Sequence, residues 1–482
     1  MANTEASFVR TEMVAPQEPP LSERGVVKWV RENLFSGPLN TILTVLALVS
    51  LFYLVKLSLP WWLHGVWKAN SLGECRQIIA DAYGPDATGA CWAMIRERWH
   101  QFIFGFYPPE MYWRPILSFG LLFVALAPAL FFGDRRNNLV ILAGVALFLL
   151  LSLWALDNDL LHIALIMMMM AGFVALVLIA PRKLLWFTLI YPALAQFLLW
   201  GGSVWGPVLT MLGLAVLAVV YVVLQPRFGV VMASAMGFVA ACVWWLALQS
   251  SVSTALYTLM PIGLEALDSD QFGGFLLAFV IGVSSISAAL PIGILLALGR
   301  RSDMLLIKTL SVTIIEFVRG VPLITMLFTA SLLLQYFLPP RTNFDLILRV
   351  VILVTVFSAA YIAEVIRGGL AALPRGQFEA ADALGLDYWQ AQRLITMPQA
   401  LKISIPGIVT TFIGLFKDTT LVTFVGLAEP LRGITSIVRA DIDWKGIYWE
   451  PYIFVGAIFF LCCFSISRYS MYLEHKLKTD HR

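Results

Sequence analysis

Gln377-Phe378-Glu379-Ala380-Ala381-Asp382-Ala383-Leu384-Gly385-Leu386-Asp387-Tyr388-Trp389-Gln390, followed by Ile395-Thr396-Met397-Pro398, is a polar island in a chain that otherwise reads as apolar spans. Gly376 and Gly385 bracket a short helix. Gly385 follows its last turn, where a left-handed residue commonly ends a helix. Asp387 stands as an N-cap with Gln390 three residues on, the pairing of a capping box. The second helix runs towards Pro398, which is expected to interrupt it before the next span. Two short helices at a glycine turn also suggest a DNA-binding helix-turn-helix. The flanking spans and the lack of a basic recognition face argue against nucleic acid. An ordinary amphipathic loop on the membrane surface is the other alternative.

Outward from this island the chain is apolar. It has 482 residues, 13% of them charged, a net charge of +3 and a mean hydropathy of +0.82. A water-soluble domain of this size cannot hide so much apolar surface. Apolar runs of about 20 residues recur along the chain, each long enough to cross the bilayer as a helix. The fold class is therefore an all-α polytopic membrane protein. About twelve spans are expected, at 39–59, 115–132, 139–156, 161–180, 184–201, 207–224, 229–249, 273–298, 314–338, 346–366, 403–425 and 451–471.

The charges orient these spans. Asp134-Arg135-Arg136, Pro181-Arg182-Lys183, Gln225-Pro226-Arg227, Gly299-Arg300-Arg301, the 370–402 loop, Lys476 and Lys478 fall on one side. Asp157-Asn158-Asp159, Glu265, Asp268, Asp270 and the Pro339-Pro340 turn fall on the other. The positive-inside rule then places both termini in the cytoplasm. The first 25 or so residues hold Glu5, Glu12, Glu18 and Pro19-Pro20 without an apolar core, so they read as a disordered tail and not a signal peptide. Val26, Val27, Val30 and Leu34 share a helical face, which suggests a short helix on the inner membrane surface; the alternative is a solvated entry to the first span.

The loop at 60–114 is then external and rich in Trp and Tyr. It reads either as a docking surface for an external partner or as a cover packed on neighbouring helices. Cys75 and Cys91 lie in it. A disulfide between them is expected if the loop faces an oxidising compartment, two free thiols if it does not. Cys242, Cys462 and Cys463 lie in apolar runs and read as packing residues. So do Met167 to Met170, which face all around one helix.

Charges in spans are costly and normally face a partner or a wet cavity. Glu316 and Arg319 are three apart and can share a helical face, as a structural ion pair or as the lining of a path. Glu364, Lys417, Asp418, Thr419 and Thr420 are the remaining polar candidates for a translocation pathway or gate. Lys417 and Asp418 are adjacent, so they point different ways on a helix. The chain has no Gly-Lys dipeptide, hence no Walker A loop, no HExxH, and five scattered histidines. No metal or catalytic site is expected.

Region 271–475 resembles the permeases of the polar amino-acid uptake family of ABC importers. The matching residues are Gly273-Gly274, Glu316-Phe317-Val318-Arg319-Gly320-Val321-Pro322-Leu323, Ala363-Glu364-Val365-Ile366-Arg367-Gly368-Gly369, the Glu379-Ala380-Ala381, Gly385, Ile395, Pro398 spacing, and Phe416-Lys417-Asp418-Thr419-Thr420-Leu421. Met397 and Thr420 depart from the usual Leu and Ser. The resemblance implies a five-helix type I importer (MetI-like) core. It makes Glu379, Ala380, Ala381, Gly385, Ile395 and Pro398 the residues that couple to a separate ATPase.

The extension at 39–250, about seven spans, resembles membrane subunits of general L-amino-acid importers of the Aap/Bzt type, with Glu32-Asn33-Leu34-Phe35 and Leu39-Asn40 closest to the M/C-like subunit. Residues 1–38 form the tail. The resemblance further implies a homologous second permease in a heterodimer, an ABC ATPase dimer, a periplasmic amino-acid-binding protein, an L-amino acid substrate, and the bacterial inner membrane. ATP and Mg are expected on the ATPase, with no cofactor on this chain. An ion-gradient-driven secondary transporter is the alternative; it would want acidic residues in mid-span in matched halves, and the first seven spans lack them. A membrane scaffold would explain the extension but not the 379–398 spacing.

Overall fold

The structure is a computed structural model and describes residues 25–132, 134–156, 158–337 and 345–477. The readings on the N-terminal tail, Asp157, the Pro339-Pro340 turn and Lys478 lie outside the described residues. The chain divides at Arg96 and Glu97 into two compact units.

The first unit holds α1 (Gly25–Leu34), α2 (Pro38–Leu63) and α3 (Leu72–Tyr83), and α4 (Ala93–Phe104) carries the chain out of it. Helix α1 is amphipathic, carries a Lys28–Glu32 pair at 3.8 Å and buries no residue. Helix α2 is 26 residues long and apolar all round. Cys75 on α3 and Cys91 are joined by a disulfide, and Ala90 N–H donates to Trp61 O while Val66 N–H donates to Ala90 O, both at 2.8 Å.

The second unit continues with α5 (Trp113–Leu130), α6 (Arg135–Ala155), α7 (Leu160–Ile179), α8 (Leu184–Trp200), α9 (Trp205–Val243), α10 (Gln249–Leu259), α11 (Gly274–Arg300), α12 (Leu305–Gly320), α13 (Leu323–Phe337), α14 (Leu346–Ala371), α15 (Arg375–Ala383), α16 (Tyr388–Ala391), α17 (Met397–Asp418), α18 (Pro430–Ala440) and α19 (Trp449–Leu477). Eleven helical stretches among the described residues are long and apolar enough to cross a membrane, or up to twelve if a bent pair counts as one. That pair stands where one span was expected at 314–338. Helices α12 and α13 meet at 102° across Val321-Pro322, because proline disfavours helical backbone in the residue before it.

Helices pack in lipid through small residues that let backbones approach. Ala289, Gly293 and Ala297 recur at every fourth position on α11 and are buried. A Cβ on Gly293 would sit 2.7 Å from the Ile362 side chain of α14. On α14's other end Gly369 faces Ser404 and Ala400 of α17, where a Cβ would come within 2.6 Å of Ala400 O. These contacts fix α11, α14 and α17 as one block.

At the opposite end, Gly105 takes φ +69, and a Cβ there would overlap the backbone of Gly273. Tyr107 donates to Leu199 O at 2.9 Å, and Trp444, fully buried, donates to Glu97 at 3.0 Å. Residues 97–112 therefore pack on the helix ends, as the cover reading of the 60–114 loop expects for this part of it. Burial of Tyr107 pushes its hydroxyl up to about 12, against the lowering by Arg114.

Candidate functional site

The segment between α14 and α17 is a folded bracket. Pro374 opens α15, and Ala383 is its last helical residue. Gly385 then takes φ +69. Its N–H donates to Asp382 O at 2.9 Å, and Leu386 N–H donates to Ala381 O at 3.2 Å. Those two bonds are the Schellman closure of a helix end. Asp387 caps α16 by accepting from Gln390 N–H at 2.8 Å, and Gln390 accepts from Asp387 N–H at 3.2 Å, completing the capping box. The backbone then makes a π-turn over Gln392–Thr396 before α17 begins. Pro398 sits in the first turn of α17, directly after the π-turn, and one helical stretch, Tyr388–Val425, runs through both. The expected interruption at proline is therefore a local π-turn within a continuous helical path.

Three contacts fasten the bracket to the spans. Gln399 donates to Gln377 Oε1 and to Ile395 O, each at 3.0 Å. The Arg301 guanidinium lies 5.1 Å from the Phe378 ring centre. Ala381 is buried against the protein, while Glu379, Ala380 and Leu384 are exposed. The two alanines of the motif thus have opposite duties. One lets the helix seat closely, and the other leaves its outer face smooth. Ile395 is half-buried and Pro398 exposed.

Above the bracket lies a charged cluster built by three helices. Arg300, ending α11, is 2.8 Å from Glu316 of α12 and 3.2 Å from Glu364 of α14. Arg319 reaches Glu364 at 3.7 Å and its guanidinium lies 5.6 Å from the Tyr361 ring centre. Arg367 pairs with Glu364 at 2.5 Å. Glu316 and Arg319 do not form an ion pair among the described residues, so the expected pairing within one helix is replaced by pairing between helices. Arg300 and Arg367 belong to the cluster and were not singled out from the sequence, since nothing local announces a partner on another helix.

Thr419 is fully buried and donates to Phe416 O at 2.7 Å; Thr420 donates to Lys417 O at 2.9 Å. Both hydroxyls are spent on the turn that carries α17 into a 3-10 segment. Lys417 is exposed and Asp418 half-buried, and neither forms an ion pair among the described residues. The structure thus separates the polar candidates into a paired cluster at Glu316, Arg319 and Glu364 and an unpaired couple at Lys417 and Asp418. No group of His, Cys, Asp and Glu among the described residues could hold a metal.

Residues 289–479 match the family described as binding-protein-dependent transport system inner membrane component. Along its whole length the chain is 61% identical to the glutamate/glutamine/aspartate/asparagine transport system permease protein BztC of Rhodobacter capsulatus, over 99% of this chain and 100% of that one. The chain belongs to the permease subunits of amino-acid ABC transporters. The permease is also 35% identical to the inner membrane amino-acid ABC transporter permease protein YhdY of Escherichia coli (strain K12), over 95% of this chain and 94% of that protein. A solved structure of an amino acid ABC transporter with histidines is 29% identical, covering 42% of this permease and 91% of that chain with a TM-score of 0.37. The similarity to BztC and YhdY includes the N-terminal helices, which lie outside the residues matched by the family model.

Proposed function

We propose that this permease forms one half of an ATP-driven importer for acidic L-amino acids and their amides, paired with a homologous but different second permease. The observation that carries the substrate class is the 61% identity, along the whole chain, with a relative named for glutamate, glutamine, aspartate and asparagine transport. A dimer of ABC ATPases, holding ATP and Mg, docks on the outer face of α15 through Glu379, Ala380 and Leu384, with Gly385 setting the turn. Ala381, Ile395 and Pro398 keep that bracket seated on α14 and α17. A closing movement of the ATPases then passes through the bracket into the block of α11, α14 and α17, switching access from one side to the other.

In this reading the basic ends at Arg135-Arg136, Arg182-Lys183 and Arg300-Arg301 lie in the cytoplasm together with both termini, and a periplasmic binding protein delivers substrate at the Gly273 end. Residues 39–250 form the extension, 271–475 the permease core and 370–402 its coupling loop. Lys417 and Asp418 are the groups left to meet substrate or the second permease. Glu316, Arg319 and Glu364 hold α11, α12 and α14 together beside the path.

The test is affinity purification of the full chain from its native membrane in mild detergent, with mass spectrometry of the retained proteins. An ABC ATPase and a second permease are expected. Ala380→Asp and Leu384→Glu, both on the exposed face, are expected to lose the ATPase, keep the second permease and abolish ATP-dependent glutamate uptake into vesicles. Uptake that survives without ATP under an ion gradient overturns the reading.

A further inference from the structure

We propose that the cleft between α15 and the ends of α11 and α14 is a binding site for one free α-amino acid. The cleft holds about 280 Å³, and its lining includes Arg301 just after α11, Leu370 of α14, Phe378 and Asp382 of α15, Ala391 of α16 and Gln392 of the π-turn. Five consecutive parts of the fold thus contribute walls to one concavity. Its volume lies just under that of most small-molecule pockets, about 300–1,000 Å³, which limits the occupant to a small metabolite.

The lining carries two opposite charges that do not meet. Among the described residues neither Arg301 nor Asp382 forms an ion pair, although both face the same cleft. Arg301 is held in place: it donates to Leu370 O at 3.5 Å, and its guanidinium lies 5.1 Å from the Phe378 ring centre. Those contacts use one of its five donors and one face, and leave the rest for a carboxylate. The Asp382 carboxylate accepts no hydrogen bond among the described residues. Gln392 is oriented by its own oxygen, which accepts from the Thr396 hydroxyl at 2.7 Å. Its amide nitrogen therefore keeps two donors to offer.

This combination selects its ligand. A phosphate suits Arg301 but is repelled by the acid in the same cleft. A metal ion suits Asp382 but is repelled by the guanidinium, and no metal-holding group stands there among the described residues. A molecule with both a carboxylate and an ammonium satisfies the two charges together: the carboxylate on Arg301 and the Gln392 amide, the ammonium on Asp382. Leu370, Phe378 and Ala391 supply an apolar wall for a short stem. Free α-amino acids have these three features. The walls belong to the bracket on one side and to the spans on the other, so an occupant ties α15 to α11 and α14. In the orientation proposed above the cleft lies on the cytoplasmic side, where imported amino acid arrives. The bound product then favours the arrangement seen here and slows the movement that transport needs. That consequence rests on the importer reading; the binding site itself does not.

The full chain, purified in mild detergent without its ATPase, is titrated with L-glutamine by calorimetry, and hydrogen exchange is followed with and without the amino acid. One saturable site is expected, with exchange slowed at 298–301 and 376–392. N-acetyl-L-glutamine, which lacks the ammonium, is expected not to compete. Asp382→Asn is expected to weaken binding at least tenfold. Ala391→Leu, which keeps every charge and fills the cleft, is expected to do the same. Absence of saturable binding in the wild type overturns the site. So does glutamine that binds both variants as well as the wild type, or that slows exchange in α17 and not at 376–392. None of these outcomes bears on ATP-driven uptake, which stands or falls on the vesicle experiment above.

Discussion

The guanidinium of Arg300, at the end of α11, lies 2.8 Å from the carboxylate of Glu316 on α12. This contact begins a chain of charges, because the same Arg300 nitrogen reaches Glu364 of α14, which also holds Arg319 and Arg367. The cluster has three arginines and two glutamates, and Glu364 touches all three cations. The two acids are therefore unequal. Replacing Glu316 leaves Arg300 still paired. Replacing Glu364 leaves Arg319 and Arg367 without an ion-pair partner among the described residues and brings three like charges together. Glu364→Gln is expected to cost about 2 kcal/mol, and Glu316→Gln under about 1, since Glu316 is more than half exposed and an exposed pair contributes little. Thermal midpoints of the purified full chain check the ranking, and equal losses would sink it.

Gly385 is the position where the bracket between α14 and α17 depends on backbone freedom. Its φ is +69 and a Cβ would meet nothing within 4 Å. Any penalty for a side chain is therefore conformational, with no clash to add. Gly385→Val is expected to cost about 1–2 kcal/mol locally, because β-branched residues resist the left-handed region. Gly385→Asn is expected to cost much less, since asparagine visits it readily. Hydrogen exchange across 376–391 and glutamate uptake should rank wild type, Asn and Val in that order. An Asn variant as defective as Val would mean that the outer surface at Gly385, and not its backbone, matters.

The same bracket shows what a sequence makes legible. Gly385 as a helix terminator and the Asp387–Gln390 capping box are local patterns, closed within a few residues, and both have the predicted geometry. The apolar spans are equally legible, because lipid forces each backbone to satisfy itself within one helix. What is not legible depends on distant partners. Pro322 is plain in the sequence and residues 314–338 read as one span, yet the 102° turn of α12 against α13 depends on how the two helices pack. Arg300 read only as a basic loop residue, because its acids stand on two other helices. Asp418 and Lys417 were visible as costly charges, and only packing reveals that the neighbouring Thr419 and Thr420 are spent on their own turn.

The disulfide between Cys75 and Cys91 closes a segment with a sequence separation of 16. A loop of that length loses enough unfolded-state freedom to stabilise its unit by about 3 kcal/mol. It holds Trp92 beside Trp61, Trp62 and Trp67, with ring centres 5.4–5.8 Å away. Cys75→Ser/Cys91→Ser is expected to expose residues 61–92 to limited proteolysis. Reduction of the wild type should do the same, and the protease pattern of α11 to α19 should stay unchanged. Identical cleavage before and after reduction would show that the tryptophan packing holds the segment without the bond.

Glu429 caps α18, accepting from Leu431 N–H at 2.8 Å and Arg432 N–H at 2.7 Å, and is fully buried. Burial pushes its carboxyl up to about 7, outweighing the two backbone donors and the Arg432 charge, which lower it. In the unfolded chain the same group titrates near 4.5. Between those values the folded state holds a proton that the unfolded state has released, so stability must fall as pH rises from about 4.5 to about 7, and level off above. The shift corresponds to at most about 3 kcal/mol. Glu429→Gln removes the titration and keeps an oxygen acceptor for the cap, so its thermal midpoint should vary less with pH across that window than the wild type's. It should also lie above the wild type at pH 8, where the native carboxylate is charged and buried. A wild-type midpoint that stays flat between about 5 and 7 and falls only below about 4.5, with that fall reduced in Glu429→Gln, would show that the two backbone donors and the α18 N-terminus prevail over burial and keep Glu429 ionised.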